Sequence, residues 1–518
     1  MIVLERKGDF VLKKFVLASL IVVCFFLLHA GNTFAATESR ISGQDRYKTA
    51  VEVSKKTFPK GTGTVVLARG DEFADALTST PLAYKVNGPI LLTKPNAIPD
   101  STMAEISRLQ VKNIILVGGT KAISQEVEQQ LIEKGIQVER ISGSDRVSTS
   151  LKIAEYLNPS HHDIYAVNQS KFPDALVIAP YAAKRNIPII LLSDSTITRA
   201  DVQKYLDNVS NTFIIGGTKV VGAKVEKNVP KPIRISGASR YETATVIANR
   251  YFKGKTDMLV VTGKDFADAL TGSVMAAKRD VPIILVSQDK VDNSVKSFVK
   301  KQKVNKYTII GGKKAVDPSI SKKLYSPIIN KKSETLRLVT KNTYLSKNYV
   351  PKNLVVPNVR FSTTVSERKH MVKEAGTALE KLFRAANNDG IILYAQSGYR
   401  SYNTQRYLYN NYVSRYGQKE ANRFSAKPGQ SEHQTGLAMD VTSKGVGFQL
   451  VERFGETKEG KWVANNAAKY GFIISYPKGK ERLTGYMYEP WHIRYVGVEH
   501  AVFMDKYDLT LEQYLSEY

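Results

Sequence analysis

ISGQDRYKTA opens at Ile41, ISGSDRVSTS at Ile141 and ISGASRYETA at Ile235, so this stretch returns after 100 and then 94 residues. Other landmarks keep the same interval. FADAL begins at Phe73, FPDAL at Phe172 and FADAL again at Phe266. A proline leading an apolar run recurs as PILL from Pro89, PIILL from Pro188 and PIILV from Pro282. A Gly-Gly pair ends a further apolar run at Gly118, Gly216 and Gly311. Self-similarity at a fixed period marks a repeated architecture, here three copies of one module of domain size.

Inside the first copy, TVVLAR, PILLT and IILVGG read as strands, and DEFADALTSTPLAYKV, STMAEISRLQ and SQEVEQQLIEKG as helices. Apolar strands alternating with helical patterns predict a parallel sheet covered on both faces. The VGGT segment, between strand and helix, has two readings: backbone N–H groups offered to a phosphate, or a tight turn that needs glycine. Asp75, Asp174 and Asp268 recur within the FADAL blocks and also keep two readings. They ligate a cation or sugar hydroxyls, or they hydrogen-bond a neighbouring turn. After Ser326, SPIINKKSETLRL loses both periodicities and reads as a linker.

The chain has 518 residues, 42% hydrophobic and 24% charged, enough for several cores. Its single cysteine, Cys24, excludes a disulfide framework and a cysteine-rich metal site. Arg6, Lys7, Lys13 and Lys14 precede the apolar run FVLASLIVVCFFLLHAG, and Thr33 and Ala35 follow at small-residue spacing. This is the pattern of a secretory signal peptide, assigned to residues 1–36; the alternative is an uncleaved anchor of minimal length. The formal net charge is +27. On an exported protein, that excess favours a polyanionic surface over nucleic acid.

The last third of the chain has a different character. SGYRSYNTQ runs from Ser397 to Gln405, PGQSEHQTGLAMD from Pro428 to Asp440 and YEPWHIRYV from Tyr488 to Val496. A catalytic zinc takes three protein ligands and leaves a position for water. His433, Asp440 and His492 supply two nitrogens and one oxygen, and Gly436 and Ala438 leave room for a turn between the first two. Glu489, three residues before His492, is near enough to move the water's proton without being a ligand. Arg400 offers a planar fork for oxyanion charge or a substrate carboxylate. His370 reads as a residue of the amphipathic helix SERKHMVKEAGTALEKLFRA, and His500 lacks a surrounding polar motif.

The ISGxDRYxTA, FADAL, PIILL and GGT blocks resemble the type 2 cell-wall-binding repeats, found in tandem threes on surface proteins of Gram-positive bacteria. The resemblance covers about residues 38–328. It implies non-covalent attachment to an anionic secondary polymer of the wall, with three modules packed as a pseudo-trimer. One departure from the pattern is Ser239, standing where the other copies have Asp45 and Asp145. The SGYRSxxxQ, SxHQTGxAxD and EPWHxRYV motifs resemble the VanY-type D-alanyl-D-alanine carboxypeptidases. That resemblance implies zinc held by His433, Asp440 and His492, with Glu489 as general base and Arg400 orienting and polarising the substrate. Gln405 and Ser431 would help to hold the terminal carboxylate.

The expected architecture is therefore multidomain: three α/β modules at 38–138, 139–232 and 233–328, a linker at 329–340, and an α+β peptidase domain with a mainly antiparallel sheet at 341–518. The expected activity is removal of the terminal D-alanine from peptidoglycan stem peptides by a secreted, wall-bound enzyme, with no nucleic acid and no membrane as partner after signal cleavage. An L,D-carboxypeptidase or peptidoglycan endopeptidase is the alternative within that class. A non-catalytic surface adhesin is the alternative outside it.

Overall fold

The structure, a computed structural model, describes residues 36–72, 75–158 and 162–518. All of the expected signal peptide except Ala36 lies outside them. Among the described residues, no helix is long and apolar enough to cross a membrane. The chain divides after Tyr325 into two compact units.

The strands of the first unit are β1 (Thr37–Ile41), β2 (Thr64–Arg69), β3 (Ile90–Thr93), β4 (Asn113–Val117), β5 (Gln137–Ile141), β6 (Asp163–Asn168), β7 (Ile189–Leu192), β8 (Asn211–Ile215), β9 (Pro232–Ile235), β10 (Asp257–Thr262), β11 (Ile283–Val286) and β12 (Lys306–Ile310). They form three parallel four-stranded sheets, ordered β3-β2-β4-β5, β7-β6-β8-β9 and β1-β12-β10-β11. Val65, Leu67, Ile90, Leu91 and Leu116 are wholly buried, as expected of strands covered on both faces.

The edge strand of each sheet is unexpected. The residues leading into ISG pair with the module before them, while the helix after ISG packs on the module that follows. The chain thus crosses from one module to the next at every ISG. In the first copy, β1 pairs with β12 of the third, with Thr37 opposite Lys306 and Ile41 opposite Ile310. The three sheets are closed into a ring by this pairing. An arginine clamps each crossing: Arg140 Nη1 donates to the carbonyls of Gly118 and Ile123, and Arg234 Nη1 to those of Gly216 and Val221. Arg40 does the same for Gly311 and Val316, across the closure, at 2.9 Å each. On the inside, helices Ser79–Lys85, Phe172–Arg185 and Ala267–Arg279 pack pairwise on one another, with Thr80 and Ser273 sharing a hydroxyl bond of 2.7 Å.

Two features of the repeats acquire a structural account. Asp45 and Asp145 are N-caps, accepting from Lys48 N and Ser148 N, and Ser239 caps its helix through Glu242 N in the same way. Serine and aspartate are near-equivalent caps, each worth about 1 kcal/mol, so the third copy's departure preserves this role. The first glycine of each Gly-Gly pair has φ between +112° and +118°, which favours glycine. A Cβ at Gly216 would stand 2.6 Å from Asp174 Oδ2, and one at Gly311 2.5 Å from Asp268 Oδ2.

Asp174 is 5% exposed, and burial pushes its carboxyl up to about 6 despite the nearby Arg240. A folded-state pKa above the unfolded value gives stability that is present at low pH and lost as pH rises through about 6. Ionising this buried carboxyl costs up to about 3 kcal/mol of stability above that pH. Asp174→Asn should therefore stabilise the first unit at pH 7 and be near neutral at pH 4. Thermal unfolding at both pH values checks this; an equal effect at both would show that charge burial is not the cause.

The second unit, Ser326–Tyr518, pairs β13 (Leu354–Val355) with β14 (Met371–Val372). Its main sheet is antiparallel, ordered β15 (Tyr394–Ser397), β16 (Ala438–Thr442), β18 (His492–Tyr495), β17 (Phe472–Ile474). Helix Lys373–Asn388 lays Leu379, Leu382 and Phe383 into the core with Met439, Val441 and Ile493. The stretch read as one helix from Ser366 is broken: a 3-10 turn over Glu367–Lys369 and the strand β14 precede the helix. His370 lies between them, its Nδ1 at 2.9 Å from the Ser366 carbonyl, because pairing with β13 outcompetes the helical propensity of these residues.

Candidate active site

Strand register creates the centre of the site. Asp440 on β16 lies directly opposite His492 on β18, so their side chains leave the same face of the sheet. His433 arrives from the 3-10 turn Glu432–Thr435. Gly436, at φ +67°, then reverses the chain into β16. Asp440 Oδ2 is 3.3 Å from His433 Nε2, and Oδ1 is 3.1 Å from His492 Nδ1. One donor atom from each of the three residues lies within 4.8 Å of the others, and all three residues are buried.

The outer nitrogens decide what these groups can hold. His433 Nδ1 is 2.7 Å from the Gly398 carbonyl, which only accepts, so Nδ1 carries the hydrogen. His492 Nε2 is 3.0 Å from Glu432 Oε2, and a carboxylate likewise accepts. In neutral rings, His433 Nε2 and His492 Nδ1 are therefore both lone pairs, pointing at a carboxylate. Three lone-pair donors converging in a buried space fit a cation, and two imidazoles with one carboxylate form a donor set suited to zinc. Without a cation, the electrostatics show the conflict. Burial opposes charge on His492, yet its hydrogen bonds to Asp440 and Glu432 push it up to about 10. The imidazoles hold Asp440 far below the usual carboxylate range despite burial.

Glu489 Oε2 stands 3.9 Å from His492 Nδ1, and burial pushes this carboxyl up to about 8. Arg400 is fixed at one end: Nη1 donates to Gln405 Oε1 at 2.7 Å and Nη2 to Ser397 Oγ at 3.1 Å. Its Nη2 is 3.9 Å from Asp440 Oδ2, and its Nε has no hydrogen-bond partner among the described residues. A cavity of about 860 Å³ opens over Arg400, Ser431, His433, Asp440, Glu489 and His492.

Gln405 is not among the residues lining that cavity. It is 1% exposed, and its amide NH₂ donates to the Ala426 carbonyl at 2.6 Å while its oxygen accepts from Arg400. Both ends are engaged inside the protein, so in this geometry Gln405 holds Arg400 instead of presenting itself to a ligand. His500 is elsewhere, 2.7 Å from the Tyr514 hydroxyl. Sequence reasoning missed Glu432, Ser475 and Arg494. The available signal was a charged residue on either side of the histidine positions, in SEH and HIR, where a solvated side chain is the ordinary expectation.

A buried His₂–Asp donor set with a neighbouring carboxylate, facing a cavity that Arg400 also lines, is the arrangement of a metallohydrolase. The D-alanyl-D-alanine carboxypeptidase family model (VanY) matches residues 368–498, and cell wall binding domain 2 matches 40–128, 140–226 and 234–321. The chain belongs to the VanY D-alanyl-D-alanine carboxypeptidase family and carries three cell-wall-binding repeats ahead of that domain. It is 51% identical to YodJ of Bacillus subtilis over 183 residues, 35% of this chain and 67% of YodJ. It is similar to a solved structure of the LdcB LD-carboxypeptidase, at 50% identity over 36% of this chain and 87% of LdcB, with a TM-score of 0.35. Cwp8 from Clostridium difficile is 31% identical over 56% of this chain and 51% of Cwp8, with a TM-score of 0.51.

Proposed function

We propose that this protein is an exported, wall-anchored, zinc-dependent carboxypeptidase that removes the terminal D-alanine from peptidoglycan stem peptides. The observation that carries the reading is the convergence of two imidazole lone pairs and the Asp440 carboxylate beside Glu489, lining a cavity that Arg400 shares. His433, Asp440 and His492 would hold zinc, which when bound would make a water acidic enough to ionise near neutral pH and would polarise the carbonyl. Glu489 takes the proton of the attacking water and returns it to the leaving amine. Arg400, braced by Gln405 and Ser397 and lining the cavity, stabilises the developing oxyanion or pairs with the substrate carboxylate. Ser431 lines the same cavity and helps to hold that carboxylate.

The three repeats anchor the enzyme to an anionic polymer of the wall, as the excess of basic residues favours. Residues 1–36 direct export, the repeats occupy 38–138, 139–232 and 233–328, and the peptidase follows the segment 329–340.

Purified full chain incubated with a stem pentapeptide should release D-alanine, identified by mass spectrometry. A tetrapeptide run in parallel separates cleavage of a D,D bond from cleavage of an L,D bond. Chelation should abolish release and added Zn²⁺ restore it, since the water needs a cation to ionise near pH 7. Full activity in protein shown by elemental analysis to be metal-free would overturn the mechanism.

A further inference from the structure

Arg494 is 0% exposed, a cation sealed inside the second unit. Its Nη1 lies 3.3 Å from Glu432 Oε1, and its Nε donates to the Tyr495 carbonyl at 3.1 Å. Glu432 in turn accepts from His492 Nε2 at 3.0 Å and from Ser475 Oγ at 2.6 Å. In the other direction, Arg494 Nη2 donates to the carbonyls of Thr335 and Arg337, both at 3.1 Å. Those carbonyls belong to the segment between the repeats and the peptidase, where periodicity had failed. Leu336 between them is 4% exposed and packs with Ile473, Val496 and Met504. Tyr349 steadies the same turn, its hydroxyl donating to Glu334 at 2.9 Å.

Burying a guanidinium is unfavourable unless its donors and charge are met. Here they are met by one carboxylate and three backbone carbonyls. The carboxylate faces the one ring hydrogen that decides how His492 is oriented. A partner of this kind fixes the tautomer and direction of a metal-binding histidine.

We infer that Glu432 and Arg494 are positioning residues for His492, and that the segment around Leu336 is a working part of the metal centre. The inference rests on the metal site proposed above. The joining segment supplies half of Arg494's anchorage, Arg494 holds Glu432, and Glu432 aims the Nδ1 lone pair of His492 toward Asp440.

The test is metal affinity of the full chain, measured by chelator competition, together with the visible spectrum of the Co²⁺-loaded protein. Glu432→Gln should weaken binding about 10- to 100-fold and alter the Co²⁺ spectrum. Ser475→Ala, a milder change at the same carboxylate, should shift both in the same direction. Leu336→Ala touches no metal donor, yet should also weaken binding, and combined with Arg494→Lys it should give less than the product of the single effects. Circular dichroism shows which variants are folded. A folded Glu432→Gln or Ser475→Ala with wild-type affinity and spectrum overturns the positioning role. Unchanged affinity in Leu336→Ala, or independent effects in the double variant, overturns the part given to the segment. Failure of the wild-type chain to bind metal is a separate result, which overturns the site itself.

Discussion

Glu489→Gln keeps its metal and loses turnover by about 10²- to 10⁴-fold, the usual worth of a positioned acid–base group. The amide is nearly isosteric with the carboxylate, and Glu489 is outside the three-donor set, so metal content should be unchanged. What disappears is the ability to accept a proton. Burial pushes this carboxyl up to about 8, and a cation in the adjoining site would draw it back toward neutrality by favouring the charged form. It would then be able to take a proton in one step and return it in the next. His433→Ala makes the contrasting variant, expected to lose metal and turnover together. Elemental analysis and kcat measured on the same preparations separate the two outcomes. Near-normal turnover in Glu489→Gln would reassign the base.

Deleting residues 36–42 should unfold the third wall-binding module. That deletion removes the β1–β12 ladder over Thr37–Ile41, the two Arg40 bonds to Gly311 and Val316, and the buried Ile41 side chain. Several backbone hydrogen bonds at about 1 kcal/mol each and one buried isoleucine at about 2 kcal/mol sum to on the order of 5 kcal/mol. A domain of ordinary stability has only about 5–15 kcal/mol in total. Hydrogen exchange should therefore show protection lost first in β10–β12, distant in sequence from the deletion. An unchanged melting temperature with intact protection there would mean that the closing strand is dispensable.

Much of this fold was legible because its signals are local. Runs such as TVVLAR and PILLT are apolar throughout and bounded by turn residues, and the structure makes them β2 and β3. The motif spacing around His433, Asp440 and His492 was informative because the register opposes Asp440 and His492. What escaped reading was non-local. TESRI, with only polar or charged residues before its one isoleucine, has no strand signature of its own; it becomes a strand by pairing with residues 306–310 at the far end of the unit. Arg494 and Glu432 look solvated in sequence and are buried against one another. Gln405 sits in a motif of cavity residues, and only its two hydrogen bonds reveal that it faces inward.

The clasp of β1 onto β12 gives the copy number a geometric basis. With each sheet borrowing its edge from a neighbour, and the inner helices meeting pairwise, three copies satisfy every edge and a fourth would find no vacancy. Recombination that adds or drops one copy would leave an orphaned strand at one end and an uncapped sheet at the other. Shuffling that preserves the total is another matter. A chain re-cut at Ile141 or Ile235, with its old ends joined, would meet the same neighbours in the same order, so such permuted genes should encode the same ring.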